Sequence, residues 1–262
     1  MIRALTLAIV ALLAASVAAS PVSAAPCAKG EARSLALISA RTGKVEREYA
    51  GITGVGVVLA DGHGGWFAGG SISCFAGLRG ASVIHLDPAG QLDRSWHVAH
   101  GASIGVLALS GPTLYAGGAF GVEGFGATTG RQRWTTRVRG GSEPGVLALA
   151  ASATAVYVGG EFRAVAGRRI SSLAALDPRT GALLGWRAPQ LHGFVPTPSV
   201  DALALDGTHL FLGGNTITTI GSRRRPGFAE LDSQTGALTP WVPATAPGLV
   251  AGTGVGDVET IL

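Results

Sequence analysis

The chain has 262 residues, 47% of them hydrophobic and 14% charged, with 41 glycines: an apolar, glycine-rich protein. Its 20 basic and 16 acidic side chains leave a net charge of +4, an excess that does not by itself argue for nucleic acid or a membrane surface as partner.

Residues 1–24 read as a secretory signal peptide. Arg3 precedes an apolar run over residues 4–17, then small residues and Pro21, ending in Val22-Ser23-Ala24 with cleavage expected after Ala24. The run is short of the roughly 20 residues that a bilayer-spanning helix needs, and no later segment could span a membrane. Cleavage would leave 19 basic and 16 acidic side chains, since Arg3 is lost, for a net charge of +3. Export makes a disulfide between Cys27 and Cys74 permissible. Closing that loop would contribute roughly 4 kcal/mol in the chain-entropy picture. Two separate thiols are the alternative. A lipid anchor on Cys27 fits poorly because Pro26 precedes it, and a metal site would need more ligands at closer spacing.

From there the chain repeats itself. Residues 56–96, 105–134, 145–186 and 200–241 each carry a small-residue apolar run, a second run ending in Gly-Gly, a third run, a turn and a tryptophan. The Gly-Gly pairs fall at 69–70, 117–118, 159–160 and 213–214, and the turn glycines at Gly43, Gly90, Gly130, Gly181 and Gly236, so the period is 40 to 55 residues. Each repeat predicts four short strands: in the last copy, a around Leu203–Leu205, b around Leu210–Leu212, c over Phe228–Leu231 and d over Leu238–Trp241. No sustained helical period appears. A four-stranded unit of this length is the blade of an all-β β-propeller. The expected layout is a single domain over residues 25–262. Its repeats lie near 55–99, 104–138, 145–188 and 199–243, and a closing blade is built from 33–50 plus 254–262, about five blades in all. A truncated part of a larger propeller is the alternative. Trp96, Trp134, Trp186 and Trp241, with Tyr49 in the corresponding place, are expected to fill the space between blades.

The stretch SSLAALDPRTGALLGW (171–186) resembles the repeat of secreted bacterial β-propellers with quinoprotein-like (PQQ-like) or delta-60-type repeats. The resemblance covers about residues 33–262 and implies the propeller fold, but its members include dehydrogenases and assembly scaffolds alike. In the quinoprotein pattern, Asp, Gly and Trp lock a turn. Asp177, Thr180 and Gly181 match, as do Asp232, Thr235 and Gly236, with Trp186 and Trp241 each one residue late. The cofactor site of the dehydrogenases needs a calcium held by acidic and amide ligands, and Asn215 is the only asparagine here. The motif therefore reads as a hairpin lock, and no cofactor, metal or catalytic residue is assigned. Gly101-Ala102-Ser103-Ile104-Gly105 fits G-x-S-x-G, but a strand follows where that motif needs a helix. His97 and His100 lack a third ligand, and no helix opens behind Gly252-x-Gly254-x-Gly256.

One feature survives. The b–c loops carry Arg79, then Arg168 and Arg169, then Arg223, Arg224 and Arg225, and the d–a connections on the same face add His97, His100, Arg137, Arg139 and His192. The opposite turns carry Asp61, Asp87, Asp177, Asp206 and Asp232, mixed with Arg41, Lys44, Arg131 and Arg179. Arginine forks suit carboxylates and phosphates. The reading is a non-enzymatic binding or scaffold module whose basic face meets an anionic envelope polymer or acidic partner protein, located outside the cell or at its envelope. Nucleic acid is not expected, because the loops lack stacking aromatics. An extracellular lyase or hydrolase, or less plausibly a quinone-dependent dehydrogenase, is the alternative. The short b–c loop of the second repeat, 12 residues from Gly-Gly to Thr-Gly against 20 to 22 elsewhere, is expected to leave a notch for a ligand.

Overall fold

The computed structural model describes residues 35–38, 44–49, 54–75, 78–98, 102–141 and 145–242, and every regular element among them is a β-strand. Strands β1 (Ala36–Ile38) and β2 (Val45–Glu48) form an antiparallel pair. Blade one follows as a meander of β3 (Val55–Ala60), β4 (Trp66–Phe75), β5 (Leu78–Leu86) and β6 (Leu92–Val98). Blade two repeats it with β7 (Val106–Ser110), β8 (Thr113–Gly118), β9 (Gly121–Gly126) and β10 (Gln132–Arg139).

Blade three pairs β11 (Gly145–Ala151) and β12 (Val156–Glu161) with β15 (Leu173–Leu176), and two short strands, β13 (Ala164–Val165) and β14 (Arg168–Arg169), lie in between. After β16 (Leu191–Gly193), blade four pairs β17 (Ala202–Asp206), β18 (His209–Gly213) and β21 (Phe228–Asp232), again with two short strands, β19 (Ile217–Ile220) and β20 (Arg223–Arg224), between them. The fourth strand of these two blades, expected over Leu238–Trp241 in the last one, is reduced to single bridges, Leu176 to Leu183 and Leu231 to Leu238. Proline explains part of this: Pro240 has no N–H to give a ladder.

A single meander cannot bury both faces alone, and here neighbouring sheets do it for each other. Tyr49 joins Ala68, Ile84 and Leu86 between the β1–β2 pair and blade one. Phe67, Val83 and Trp96 meet Leu107, Leu114 and Phe125 between blades one and two. Tyr115, Val122 and Trp134 meet Val146, Val156 and Leu176 between two and three, and Tyr157, Leu173 and Val200 meet Leu210, Leu212 and Leu231 between three and four. Sheets stacked face to face through successive apolar layers make the fold a β-propeller.

One contact recurs at each of the four joints among the described residues: the aromatic that ends a blade rests on the glycine of the next blade's c–d turn. Tyr49 OH donates to the Gly90 carbonyl at 3.1 Å. A Cβ on Gly130 would touch the Trp96 ring at 3.4 Å, one on Gly181 would lie 2.4 Å from Trp134, and one on Gly236 would lie 3.2 Å from Trp186. Trp134 also donates its Nε1–H to the Pro178 carbonyl at 3.1 Å. The tryptophans are not equally covered. Trp96 and Trp134 are buried and Trp186 half-buried, whereas Trp241 packs edge-on to Phe211 and is 38% exposed.

Candidate functional site

The turn motif organises hydrogen bonds rather than a cofactor. Asp177 Oδ1 accepts from the backbone N–H of Arg179 (2.9 Å) and Thr180 (2.8 Å) and from the Thr180 hydroxyl (2.9 Å), while Gly181 N–H donates to the Asp177 carbonyl. Asp232 does the same with Gln234, Thr235 and Gly236. The Thr hydroxyl bond and the backbone donors hold both carboxyls below the usual carboxylate range. On the same face His85 lies between two carboxylates, Nε2 3.0 Å from Asp61 and Nδ1 3.4 Å from Asp93. Among the described residues, no three His, Cys, Asp or Glu side chains gather as a metal centre. No described helix is long and apolar enough to cross a membrane. Cys27, His100 and Gly252 to Gly256 lie outside the described residues. Ser103 leads into β7, a strand.

The opposite face is built differently. Between strands b and c, blades three and four each send out a small hairpin, and that hairpin adds to the end of the preceding blade. In blade three, β13 pairs with β10 of blade two and with β14, so Arg139, Ala164 and Arg169 lie opposite one another in one row, and Val138, Val165 and Arg168 in the next. In blade four, β19 pairs with β16 and β20, placing His192, Thr219 and Arg224 in one row and Leu191, Ile220 and Arg223 in the other. Residues opposed across an antiparallel ladder emerge on the same side, and successive residues on opposite sides. The two arms thus share a plan. One side is an apolar row, with Val138, Val165, Leu191 and Ile220 all buried. The other side carries a small residue between two polar basic side chains, Arg139 and Arg169 in blade three and His192 and Arg224 in blade four. The edge strands lie two ladder spacings apart, about 9–10 Å.

This geometry separates the arginines that the sequence grouped together. Arg169 and Arg224 belong to the cationic rows. Arg168 and Arg223 point the other way, at the exposed ends of the apolar rows. Arg225 is buried at 8% exposure, its guanidinium donating to the carbonyls of Arg224 (3.0 Å) and Thr239 (3.3 Å), so it holds the arm down rather than presenting charge. Arg79 is exposed near the tip of blade one's own b–c arm, paired in register with Cys74. Arg139 and His192 supply the far edges of the rows.

Blade two turns directly from β8 to β9 through Ala119 and Phe120 and sends out no arm. An open cleft of about 480 Å³ lies one joint further on, between the end of β10 and blade three's arm, walled by Arg139, Arg163, Arg169, Ser171 and Pro196. Arg163 was not singled out in the sequence. The signal for it was its position, three residues after the Gly-Gly pair and just ahead of the arm.

No family model matches this chain, and no curated protein matches its sequence. Solved structures do match. A chain of the mitotic checkpoint complex superposes over 79% of this chain and 57% of its own length, at 16% identity and a TM-score of 0.54. Sqt1 of Saccharomyces cerevisiae does so over 78% and 54%, at 12% identity and a TM-score of 0.53. BamB from Moraxella catarrhalis matches over 75% and 55%, at 21% identity and a TM-score of 0.47. The chain spans little more than half the length of these three proteins, and the likeness is one of fold: the β-propeller.

Proposed function

We propose that this chain is an exported, non-enzymatic β-propeller that works as a binding or scaffold module, meeting an acidic partner protein with the cationic arms of blades three and four. The observation that carries the reading is the repeated placing of an arginine on the charged side of two arms, Arg169 and Arg224, each across a small residue from a second nitrogen-bearing side chain, Arg139 or His192, with the other side of the arm anchored by buried aliphatics. Each fully buried aliphatic of that kind contributes about 1.5–3 kcal/mol, so the arms present their charge from fixed positions. Asp177 and Asp232 place carboxylates on the turn face, which leaves the arm face as the side suited to an acidic surface. Export rests on the composition of residues 1–24. Quinoprotein-like repeats rest on the Asp-x-x-Thr-Gly turns. The closing blade from 33–50 plus 254–262 rests on the β1–β2 pair and on Tyr49, which docks on blade one.

The test is binding of the protein from residue 25 onward to poly-L-glutamate, a stand-in for an acidic protein surface, beside polygalacturonate for an acidic polymer of the envelope. The variant replaces Arg168, Arg169, Arg223 and Arg224 with Ser and keeps the buried Arg225. The expected result is binding to polyglutamate that weakens by about tenfold or more as salt shortens the screening length, and a variant at least about tenfold weaker. Equal binding by the two proteins, or none at low salt, overturns the reading. Tighter binding to polygalacturonate replaces the protein partner with a polysaccharide.

A further inference from the structure

The two arms are built on one plan but finished differently, and the differences gather at one place. Hydrogen bonds align them residue by residue. The N–H of Ile170 donates to Arg163 as that of Arg225 donates to Thr218, and Arg163 N–H reaches the carbonyl of Arg139. Arg163 therefore stands where blade four has Thr218, and Ile170 where it has Arg225. Likewise Ser172 receives the Gly160 N–H and donates its own to Phe162, as Gly227 does with Gly214 and Ile217. Gly227 sits at φ +80°, the left-handed region, and Ser172 is held there too at φ +67°. A non-glycine residue at such an angle costs on the order of 1 kcal/mol or more.

What accompanies that strain is a specific bond. Ser172, fully buried, donates its hydroxyl to the Pro198 carbonyl at 2.5 Å. This ties down the segment that carries Pro196, a wall of the cleft, and Thr197, which is buried at 4% exposure. Thr197 Oγ1 in turn accepts the Arg163 Nε–H at 2.6 Å. A guanidinium has five N–H donors in a planar fork, so one bond at Nε fixes the plane and leaves the four outer donors free. Arg139 and Arg169 flank Ala164 in the same cleft, and neither is in an ion pair or side-chain hydrogen bond among the described residues. No acidic side chain is among the walls.

We infer that the cleft between blades two and three is a binding site for a small organic anion carrying two oxyanion groups, carboxylate or phosphate, no more than about 10 Å apart. This deepens the partner reading above and rests on it in taking the arm face as the recognition face. Arg163 grips one group through its outer donors, oriented by Thr197. Arg139 and Arg169 grip the other from either side of Ala164, whose methyl leaves room between them. The volume, about 480 Å³, falls within the size range of small-molecule pockets. Blade four offers only His192 and Arg224 across Thr219, with Thr218 in place of the third arginine, and so provides an internal comparison.

The experiment is calorimetric titration of the protein from residue 25 onward with citrate, as polycarboxylate, and with fructose 1,6-bisphosphate, as bisphosphate; acetate and inorganic phosphate serve as single-group probes. The two-group probes are expected to bind at one site per chain, at least about tenfold tighter than their single-group counterparts. Arg163→Thr, which copies blade four and so keeps the fold, is expected to weaken binding about tenfold or more, as are Arg139→Ser and Arg169→Ser. Arg131→Ser removes the same charge from the opposite face and leaves the affinity unchanged. Preference for citrate or for the bisphosphate assigns the oxyanion. If Arg131→Ser weakens binding as much as Arg163→Thr does, or if single-group probes bind as tightly, the site falls. Failure of the unaltered protein to bind citrate or the bisphosphate, with its polyglutamate binding intact, overturns this inference alone. Loss of polyglutamate binding with citrate retained overturns only the partner reading.

Discussion

If neighbouring blades are held by an aromatic resting on a turn glycine, the glycine should be irreplaceable for reasons of space and not of backbone angle alone. Gly181 and Gly207 separate the two. Both are left-handed, at φ +69° and +57°. A Cβ on Gly207 would meet nothing within 4 Å, whereas one on Gly181 would lie 2.4 Å from Trp134 Cε3 and 2.7 Å from Thr136 Oγ1. Gly207→Ala therefore carries only the conformational penalty, about 1–2 kcal/mol. Gly181→Ala carries that penalty plus overpacking against a buried indole, about 1–3 kcal/mol more. At about 2–4 °C per kcal/mol for a chain of this size, the two variants should differ in Tm by roughly 2–12 °C. Thermal unfolding followed by circular dichroism measures both. In a Trp134→Ala background the extra loss at Gly181 should shrink, because the ring clash is gone and only Thr136 Oγ1 is left close to the added Cβ. Equal losses for Gly181→Ala and Gly207→Ala in the wild-type background would refute the packing argument.

The Pro178 carbonyl accepts from both Trp134 Nε1 (3.1 Å) and Tyr115 OH (3.3 Å). Trp134→Phe or Tyr115→Phe alone should thus cost about 1–2 kcal/mol, and the pair more than the sum, since a buried acceptor is then left bare; denaturant unfolding of the three variants checks it. Asp177 and Asp232 have depressed folded pKa values, mainly through the Thr180 and Thr235 hydroxyl bonds. Their contribution is present above the unfolded pKa and lost as pH falls through the folded one. The double variant Asp177→Asn/Asp232→Asn should accordingly show a shallower fall of Tm below about pH 4. His209 lies 2.7 Å from Glu230, and that hydrogen bond raises its pKa. The pair stabilises fully below the unfolded value near 6.5 and loses its effect as pH rises through the raised one, so Tm of the wild type minus that of His209→Ala should shrink as pH rises above about 6.5.

The repeat was legible because its signals are local. Gly-Gly pairs, Asp-x-x-Thr-Gly turns and terminal aromatics each need a fixed residue at a fixed place. The expected strands over Leu203–Leu205, Leu210–Leu212 and Phe228–Leu231 fall inside β17, β18 and β21. Strand d of the last two blades was overread because hydrophobic residues there pack without completing a ladder, as Leu184 and Leu238 do. The arms were not legible as arms. Two-residue strands such as Ala164–Val165 and Arg168–Arg169 carry no periodicity, and their partners lie on the preceding blade. For the same reason sequence alone could not sort Arg169 from Arg168, or expose Arg225 as a buried clamp. Those fates depend on which side of a cross-blade ladder each residue lands.

Repetition also separates what the fold needs from what it is free to use. Ala164 and Thr219, Val165 and Ile220, Arg168 and Arg223, Arg169 and Arg224 occupy equivalent ladder positions with similar chemistry, so that much is common to both arms. Arg163 against Thr218 and Ser172 against Gly227 break the equivalence. Ser172 breaks it at a conformational cost that glycine would avoid, and its hydroxyl reaches the segment that orients Arg163. These two departures from the repeat are linked by one chain of hydrogen bonds and converge on a cleft without acidic walls. Ser172 and Arg163 both keep these bonds, and the cleft they meet at is basic and shaped at once.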